Sequence, residues 1–294
     1  MALLTLIFNK LKIPLSESKT MGPTTVLEYL GVVLDSDRLE ARLPRDKVER
    51  IMEFIQSLLK KKSCTKREVL QLLGHFNFAS KVIVPGRSFV SYLINISTTV
   101  KELHHYVHLS KDCKEDLTMW LIFLKEWNGV SVFYENKFSS SEDMQLFTDA
   151  SSVLGFSAFF QNEWFCEKWP STVEENLSMA FRELYPIVAA TIVWGRKWKY
   201  KQLVFYCDNE ATVSILNKGR SKCLYIMQLM RNMTWLAAKH NFTFRAKYIP
   251  SKCNIIADAL SRFQMGRFRK AAPEANLYPE RCPTEREILW DYKK

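Results

Sequence analysis

Four acids in the second half of this 294-residue chain stand where side chains can do chemistry: Asp149 closes the run LFTD, Glu183 lies in FRELYP, Asp208 ends VFYCD, and Asp258 sits inside IIADAL. Each alone has an ordinary explanation. Asp149 before Ala-Ser-Ser suits a turn, and Asp208–Asn209 suits a helix cap. Glu183 fits less easily, because Ala180, Leu184, Ile187 and Val188 surround it, and Asp258 sits in a similarly apolar run. A buried carboxylate without a partner costs several kcal/mol. Taken together, the four suggest a common purpose. Two neighbouring strands that end in Asp at one edge set two carboxylates side by side; a helix across that edge adds Glu183, and a last helix adds Asp258. Crowded carboxylates raise one another's pKa, and a divalent cation relieves the repulsion. Hard oxygen donors favour Mg²⁺ or Mn²⁺. Two such ions about 4 Å apart form a clamp for phosphodiester displacement, one activating water and the other stabilising the leaving oxygen.

The elements that must position these acids follow from periodicity. After residue 144 three strand-like runs come in meander order (QLFTDA, VLGFSAFF, EWFCEKW), then the helix LSMAFRELYPIVAATIVWG and the strand QLVFYCD. The helices ATVSILNKG and CLYIMQLMRNMTWLAAKH, the strand FTFRAKYI and the helix IIADALSRF complete a βββ-α-β-α-α-β-α order, a mixed α/β class. Upstream, TTVLEYLGVVLDSDRLEARL reads as a hairpin. Val48, Ile51, Ile55, Leu58 and Leu59 then recur at helical spacing behind Pro44, and Thr65 with Glu68 forms a capping box. The expected organisation is a fragment over 1–43, a mainly helical module over 44–133, a Ser/Asn/Glu-rich joint over 134–144, an α/β domain over 145–265 and an extended tail over 266–294.

Hydrophobic residues at 47% and charged residues at 25% describe a chain that can bury real cores. The net charge of +11 is spread along the chain and suits a polyanionic partner. Seven scattered cysteines without a CxxC pair argue against a disulfide scaffold or zinc ribbon, and fit a reducing compartment, cytoplasmic or nuclear. No apolar run approaches the roughly 20 residues of a membrane span, so no membrane partner is expected. The start, MALLTLIFNKLKIPL, lacks the basic region and cleavage site of a signal peptide and reads as the severed edge of a larger domain. His104-His105-x-x-His108 lacks a carboxylate or Cys to complete a zinc site, Cys207 is expected to point into the core, opposite Asp208, and His240 reads as a helix-end residue. Trp194 and Trp198 suit either core packing or base stacking.

The segments TDAS, REL, YCDN and IPSKCNIIADALSR resemble the four signature segments of the ribonuclease H domain of retrotransposon polyproteins. LEYLGVVLDSDRLEARLP followed by QLLGHFNFASKVIVPGRSFVSYL looks like the end of a reverse transcriptase, running from the last palm strands into thumb and connection. DNEATVSILNKGRS together with FRKAAPEANLYP is most similar to DIRS/Ngaro-type elements, with gypsy-type elements next. The resemblance implies a mixed five-stranded sheet with flanking helices, and cleavage of the RNA strand of RNA–DNA hybrids. It also implies two Mg²⁺ (or Mn²⁺) held by Asp149, Glu183, Asp208 and Asp258. Asp149 and Asp208 would hold or bridge the ions, Glu183 would bind one and orient water, and Asp258 would complete the second site. The hybrid would be met by Arg196, Lys197, Lys199, Lys201, Lys218, Arg220 and Arg262, with Asn209 and Ser151 near its backbone. A solvated charged face is the ordinary alternative for these cations.

Two departures from the family pattern bear on activity. Relatives commonly carry a His ten residues before the last Asp; here Tyr248 holds that position, and Ser251 replaces the Gly of their IPG. No aromatic-x-Asp-Asp pair occurs before residue 110, so DNA synthesis is not expected, and any palm would come from other parts of the reverse transcriptase. The alternative is a catalytically inactive nucleic-acid-binding remnant. An integrase-like strand transferase is disfavoured because Glu183 precedes the second Asp.

Overall fold

The computed structural model describes residues 2–16, 20–126, 131–132, 138–139, 141–144, 146–171, 173 and 177–289. The helix α1 (Ala2–Lys10) buries none of its side chains. A meander follows, with β1 (Val26–Tyr29), β2 (Val32–Asp35) and β3 (Glu40–Arg42) paired antiparallel. Leu30 and Gly31 join the first two strands with φ of 49° and 78°. Two positive φ values in a two-residue loop match the right-handed twist of the strands, and glycine makes the second position inexpensive. The expected hairpin is present, and a third strand extends it.

The helical half is built from amphipathic stripes. Helix α2 (Arg45–Leu59) buries Val48, Ile51, Ile55 and Leu58. Strand β4 (Ser63–Thr65) leads into α3 (Lys66–Ala79), whose start carries the anticipated capping box: Thr65 Oγ1 accepts from the Glu68 N–H, and the Glu68 carboxylate accepts from the Thr65 N–H at 2.7 Å. A 3₁₀ turn over Val84–Phe89 precedes α4 (Ser91–Thr98), β5 (Tyr106–His108) and α5 (Lys111–Glu126). β5 closes an antiparallel pair with β4. The core of this half centres on Trp120, stacked on Phe76 with ring centroids 4.1 Å apart.

Beyond it, β6 (Ser131–Val132) pairs with β3, and the short β7 (Phe138–Ser139) and α6 (Ser141–Met144) follow. Residues 134–137 and 140 of the expected joint lie outside the described residues. The remaining elements keep the order read from the sequence: β8 (Leu146–Ala150), β9 (Gly155–Phe160), β10 (Glu163–Lys168), α7 (Met179–Trp194), β11 (Gln202–Cys207), α8 (Glu210–Lys218), α9 (Leu224–Lys239), β12 (Thr243–Tyr248) and α10 (Ile255–Ser261).

The sheet departs from the expected single five-stranded unit. Two three-stranded sheets form, β10-β9-β8 antiparallel and β12-β11-β7 parallel. β7 pairs with Gln202 and Leu203 at the start of β11. β8 and β11 still lie close together. The tail is also not simply extended. Helix α11 (Met265–Ala271) packs Phe268 beside Phe159 and Trp164, and α12 (Glu285–Leu289) buries Ile288 in the main α/β core. Among the described residues, no helix is long and apolar enough to cross a membrane.

Helix α9 fastens the two halves. Its Met227, Met230 and Met233 belong to the α/β core, whereas Trp235 and Ala238 belong to the helical core. Between them Arg231, 1% exposed, reaches Asp116 Oδ1 at 3.0 Å and Glu115 Oε2 at 2.6 Å on α5. Burial pushes the Asp116 carboxyl up to about 7 despite the guanidinium beside it. Removing one partner of such a pair leaves a buried charge uncompensated. Arg231→Leu should therefore destabilise the chain by about 3 kcal/mol at neutral pH in urea denaturation, with the loss shrinking as acid protonates Asp116. Arg231→Leu combined with Asp116→Leu should recover most of that stability.

Candidate active site

The acids are brought together by the ends of four elements. Asp149 is the fourth residue of β8 and pairs in register with Ser157 on β9. Asp208 follows directly on the end of β11. Glu183 lies in the first turns of α7, whose start is capped by Ser178 Oγ accepting from the Phe181 N–H. Asp258 is in the first turn of α10. Helix α10 is docked by two hydrogen bonds that the chain makes across long sequence separations. Asn254 Nδ2 donates to the Thr148 carbonyl at 2.8 Å, and Ser157 Oγ donates to the Ala257 carbonyl at 2.9 Å.

Burial and mutual repulsion dominate the electrostatics. Glu183 is 5% exposed, and burial, with Asp149 and Asp208 adding to it, pushes its carboxyl up to about 9. Burial likewise raises Asp149 to about 6; Ser261 Oγ, donating to its Oδ2 at 2.6 Å, offsets part of the rise, while Asp208 and Asp258 add to it. Asp258 behaves differently. Burial would raise it, but Arg262 Nε at 2.7 Å and Arg267 Nη1 at 2.6 Å hold its carboxyl below the usual range. Asp258 is thus held by two guanidinium groups and Asp149 by one hydroxyl, whereas burial and both neighbouring acids all raise Glu183.

A carboxylate oxygen of Glu183, one of Asp208 and the Cys207 sulfur all lie within 4.8 Å of one another. Strand alternation would send Cys207 away from Asp208, but β11 ends at Cys207, so alternation no longer governs the next residue. Burial pushes the Cys207 thiol up to about 12, which keeps it neutral beside the acids. A thiol is a soft donor; the carboxylates are the hard oxygen donors that suit Mg²⁺ or Mn²⁺. The donor set fits a divalent cation.

The other expected site residues divide. Arg262 is at the acids, tied to Asp258. Ser151 is buried, and its Oγ accepts from the Val153 and Leu154 N–H groups in the β8–β9 turn, so it organises the loop instead of facing a partner. Asn209 caps α8, its Oδ1 accepting from the Thr212 N–H at 3.0 Å. Arg196, Lys197, Lys199 and Lys201 are exposed but stand at the opposite end of α7 and β11 from the acids, about 20 Å away at the usual rise per residue. Lys197 is also engaged by Glu163 at 2.6 Å. Exposed Lys218 and Arg220 lie at and just past the far end of α8. Tyr248, 51% exposed, pairs in register with Cys207 and so lies at the same end as Asp208. Trp194 and Trp198 are buried in the aromatic core, which removes them as stacking platforms. His240 ends α9 as its C-cap.

Sequence reading missed Ser261, Arg267 and Asn254. Ser261 had a signal, since three residues after Asp258 on a helix is the same face. Arg267 and Asn254 had none, because their roles depend on how α10 and α11 dock.

Glu183 gives a pH test. Its folded-state pKa is raised above the ordinary 4.5, so the metal-free folded state keeps a proton that the unfolded chain gives up, and stability falls as pH rises from about 4.5 towards about 9. Glu183→Gln should therefore be more stable than the parent by roughly 1–3 kcal/mol near pH 8 in urea denaturation without metal, and equal to it near pH 4. Added Mg²⁺ should narrow the difference at the higher pH. Set against known proteins, the sequence matches no family model and no curated protein.

Proposed function

We propose that this chain is a metal-dependent endonuclease that hydrolyses the RNA strand of RNA–DNA hybrids. In this reading it is a ribonuclease H-like unit joined to the thumb and connection of a DIRS/Ngaro-type retrotransposon reverse transcriptase. The observation that carries the reading is the approach of Glu183 and Asp208 to within 4.8 Å, with Asp149 near enough to raise Glu183 and Asp258 near enough to raise Asp149. Stability alone gives no reason to gather uncompensated carboxylates in a low-dielectric place. The element order and the four sequence segments support the same assignment.

Asp149, Glu183, Asp208 and Asp258 would hold two Mg²⁺ (or Mn²⁺). Bound there, the ions would supply an activated water and stabilisation of the leaving oxygen. The chain's own groups do the positioning. Ser261 holds one oxygen of Asp149. Asn254 and Ser157 hold α10 against β8 and β9, so that Asp258 keeps its place. Arg262 and Arg267 bring two guanidinium groups to the same rim, where phosphate oxygens can be met by forked donors.

Tyr248 in place of the family His favours a second reading, in which the fold binds nucleic acid without cutting it. An imidazole changes charge near neutral pH, so its loss removes a proton carrier from this edge. A labelled RNA–DNA hybrid incubated with the chain separates the two. The first reading expects cleavage with Mg²⁺ and none with excess chelator. It also expects Asp149→Asn to lower the rate about 100-fold or more while hybrid binding persists. Binding without metal-dependent cleavage in the parent chain would select the second reading. No extension of a primed template is expected in the same reactions.

A further inference from the structure

A cavity of about 610 Å³ lies between the two halves, well removed from the acids. Its wall on the helical side is the segment around the 3₁₀ turn, with Val82, Arg87 and Ser88. Its apolar surface comes from exposed Val84 and half-buried Pro85 on the helical side and half-buried Phe244 on the α/β side, above the buried Leu216, Met230 and Phe242, and Lys218 stands at the rim. Helix α8 runs from Asn209, next to Asp208, to Lys218, so about 13 Å of helix separates the acids from this rim.

The halves touch at one margin of the cavity. Gly219 ends α8 with φ of 66°, and a Cβ there would collide with Ser88 Oγ. Glycine thus serves both the left-handed cap and the close approach. The other contacts between the halves run through Trp235, Ala238 and Arg231 of α9. The volume is in the range of organic-ligand sites, which pair an apolar lining with a few placed polar groups. The charge is one-sided. Arg87 and Lys218 are exposed, neither forms an ion pair among the described residues, and no acidic side chain among them lines the cavity. Two unpaired cations above an apolar floor complement a molecule with a flat apolar body and a single anionic head.

We infer that this inter-module cavity is a binding site for an amphipathic organic anion, its apolar body against Val84, Pro85 and Phe244 and its anionic head met by Arg87 and Lys218. Occupancy bridges the 3₁₀ turn to α8 and β12, so the ligand stabilises the contact between the halves.

The probe is 8-anilinonaphthalene-1-sulfonate, titrated into the full chain by fluorescence with chelator present, so that the acid site takes no part. The expected result is saturable binding of one molecule per chain, with a rise in Tm of about 3 °C at ten times Kd. Arg87→Gln with Lys218→Gln should weaken binding about tenfold or more, and N-phenyl-1-naphthylamine, the same body without the sulfonate, should bind about as weakly to the parent. Ala237→Trp, which fills the cavity from α9, should abolish the site while near-UV circular dichroism shows an intact fold. If Ala237→Trp unfolds the chain, Thr234→Phe supplies the same block. Binding that survives the block, or that is equal for the charged and uncharged probes, overturns the assignment, as does the absence of saturable binding.

Discussion

Charge taken out of water must be compensated, and two places in this protein meet that constraint in opposite ways. At the junction of the halves, Arg231 faces Asp116 and Glu115, so each charge has a partner within hydrogen-bond reach. The compensation is imperfect: Asp116 Oδ2 has no hydrogen-bond partner among the described residues, and burial still raises that carboxyl. A well-packed apolar replacement would serve stability at least as well. The gain lies in specificity, since one guanidinium can satisfy both acids only when α5 and α9 meet in one register. The rest of the inter-module arrangement, with Trp235 inserted beside Phe123 and Gly219 set against Ser88, follows from that register.

At the ends of β8, β11 and α7 the same constraint is left unmet. Asp149 and Glu183 are buried with Asp208 nearby; Ser261 and the charge of Arg262 offset part of the cost at Asp149, while burial and the neighbouring acids all raise Glu183. The fold therefore carries a local electrostatic debt, which the hydrophobic cluster around Phe156, Phe165, Tyr185 and Trp194 offsets. Asp258 belongs to the same site but to a different electrostatic regime. Held by Arg262 and Arg267, it is ionised and tethered, whereas Glu183 without metal keeps its proton at neutral pH. A cation arriving here would meet one ready ligand and would have to displace the proton from another, which couples metal affinity to pH.

Much of this was legible in the sequence, because it rests on local rules. The capping box at Thr65 and Glu68, the stripe on α2 and the alternating strands β9 and β10 depend on near neighbours, and the element order after residue 144 came through intact. The four acids were legible for a related reason, as charges set in apolar runs or at strand ends. What was hidden depends on distant partners. Arg231 and Asp116 lie far apart in the chain, and neither residue differs from an ordinary helix charge until α9 docks. The pairing of β7 with β11 rests on two residues, too few to carry a pattern. The tail looked extended because its prolines and mixed charge conceal single anchors, Phe268 and Ile288.

The distribution of cations bears on how a polyanion would lie on this surface. A dense basic run, Arg196 to Lys201, stands at the opposite end of the α/β half from the acids, and Lys197 is already committed to Glu163. Under the proposed function, a duplex whose scissile phosphate reaches Asp149 therefore takes its nearest contacts from Arg262 and Arg267. Each spends one nitrogen on Asp258, Arg262 its Nε and Arg267 its Nη1, so committing a whole fork to phosphate loosens Asp258. A bound cation is the natural replacement for them, since it compensates the same carboxylate. Metal loading and phosphate capture would then be linked through Asp258, each making the other less costly. A helical residue placed to be ionised, half-exposed and doubly paired is suited to such an exchange in a way that the fully buried Glu183 is not.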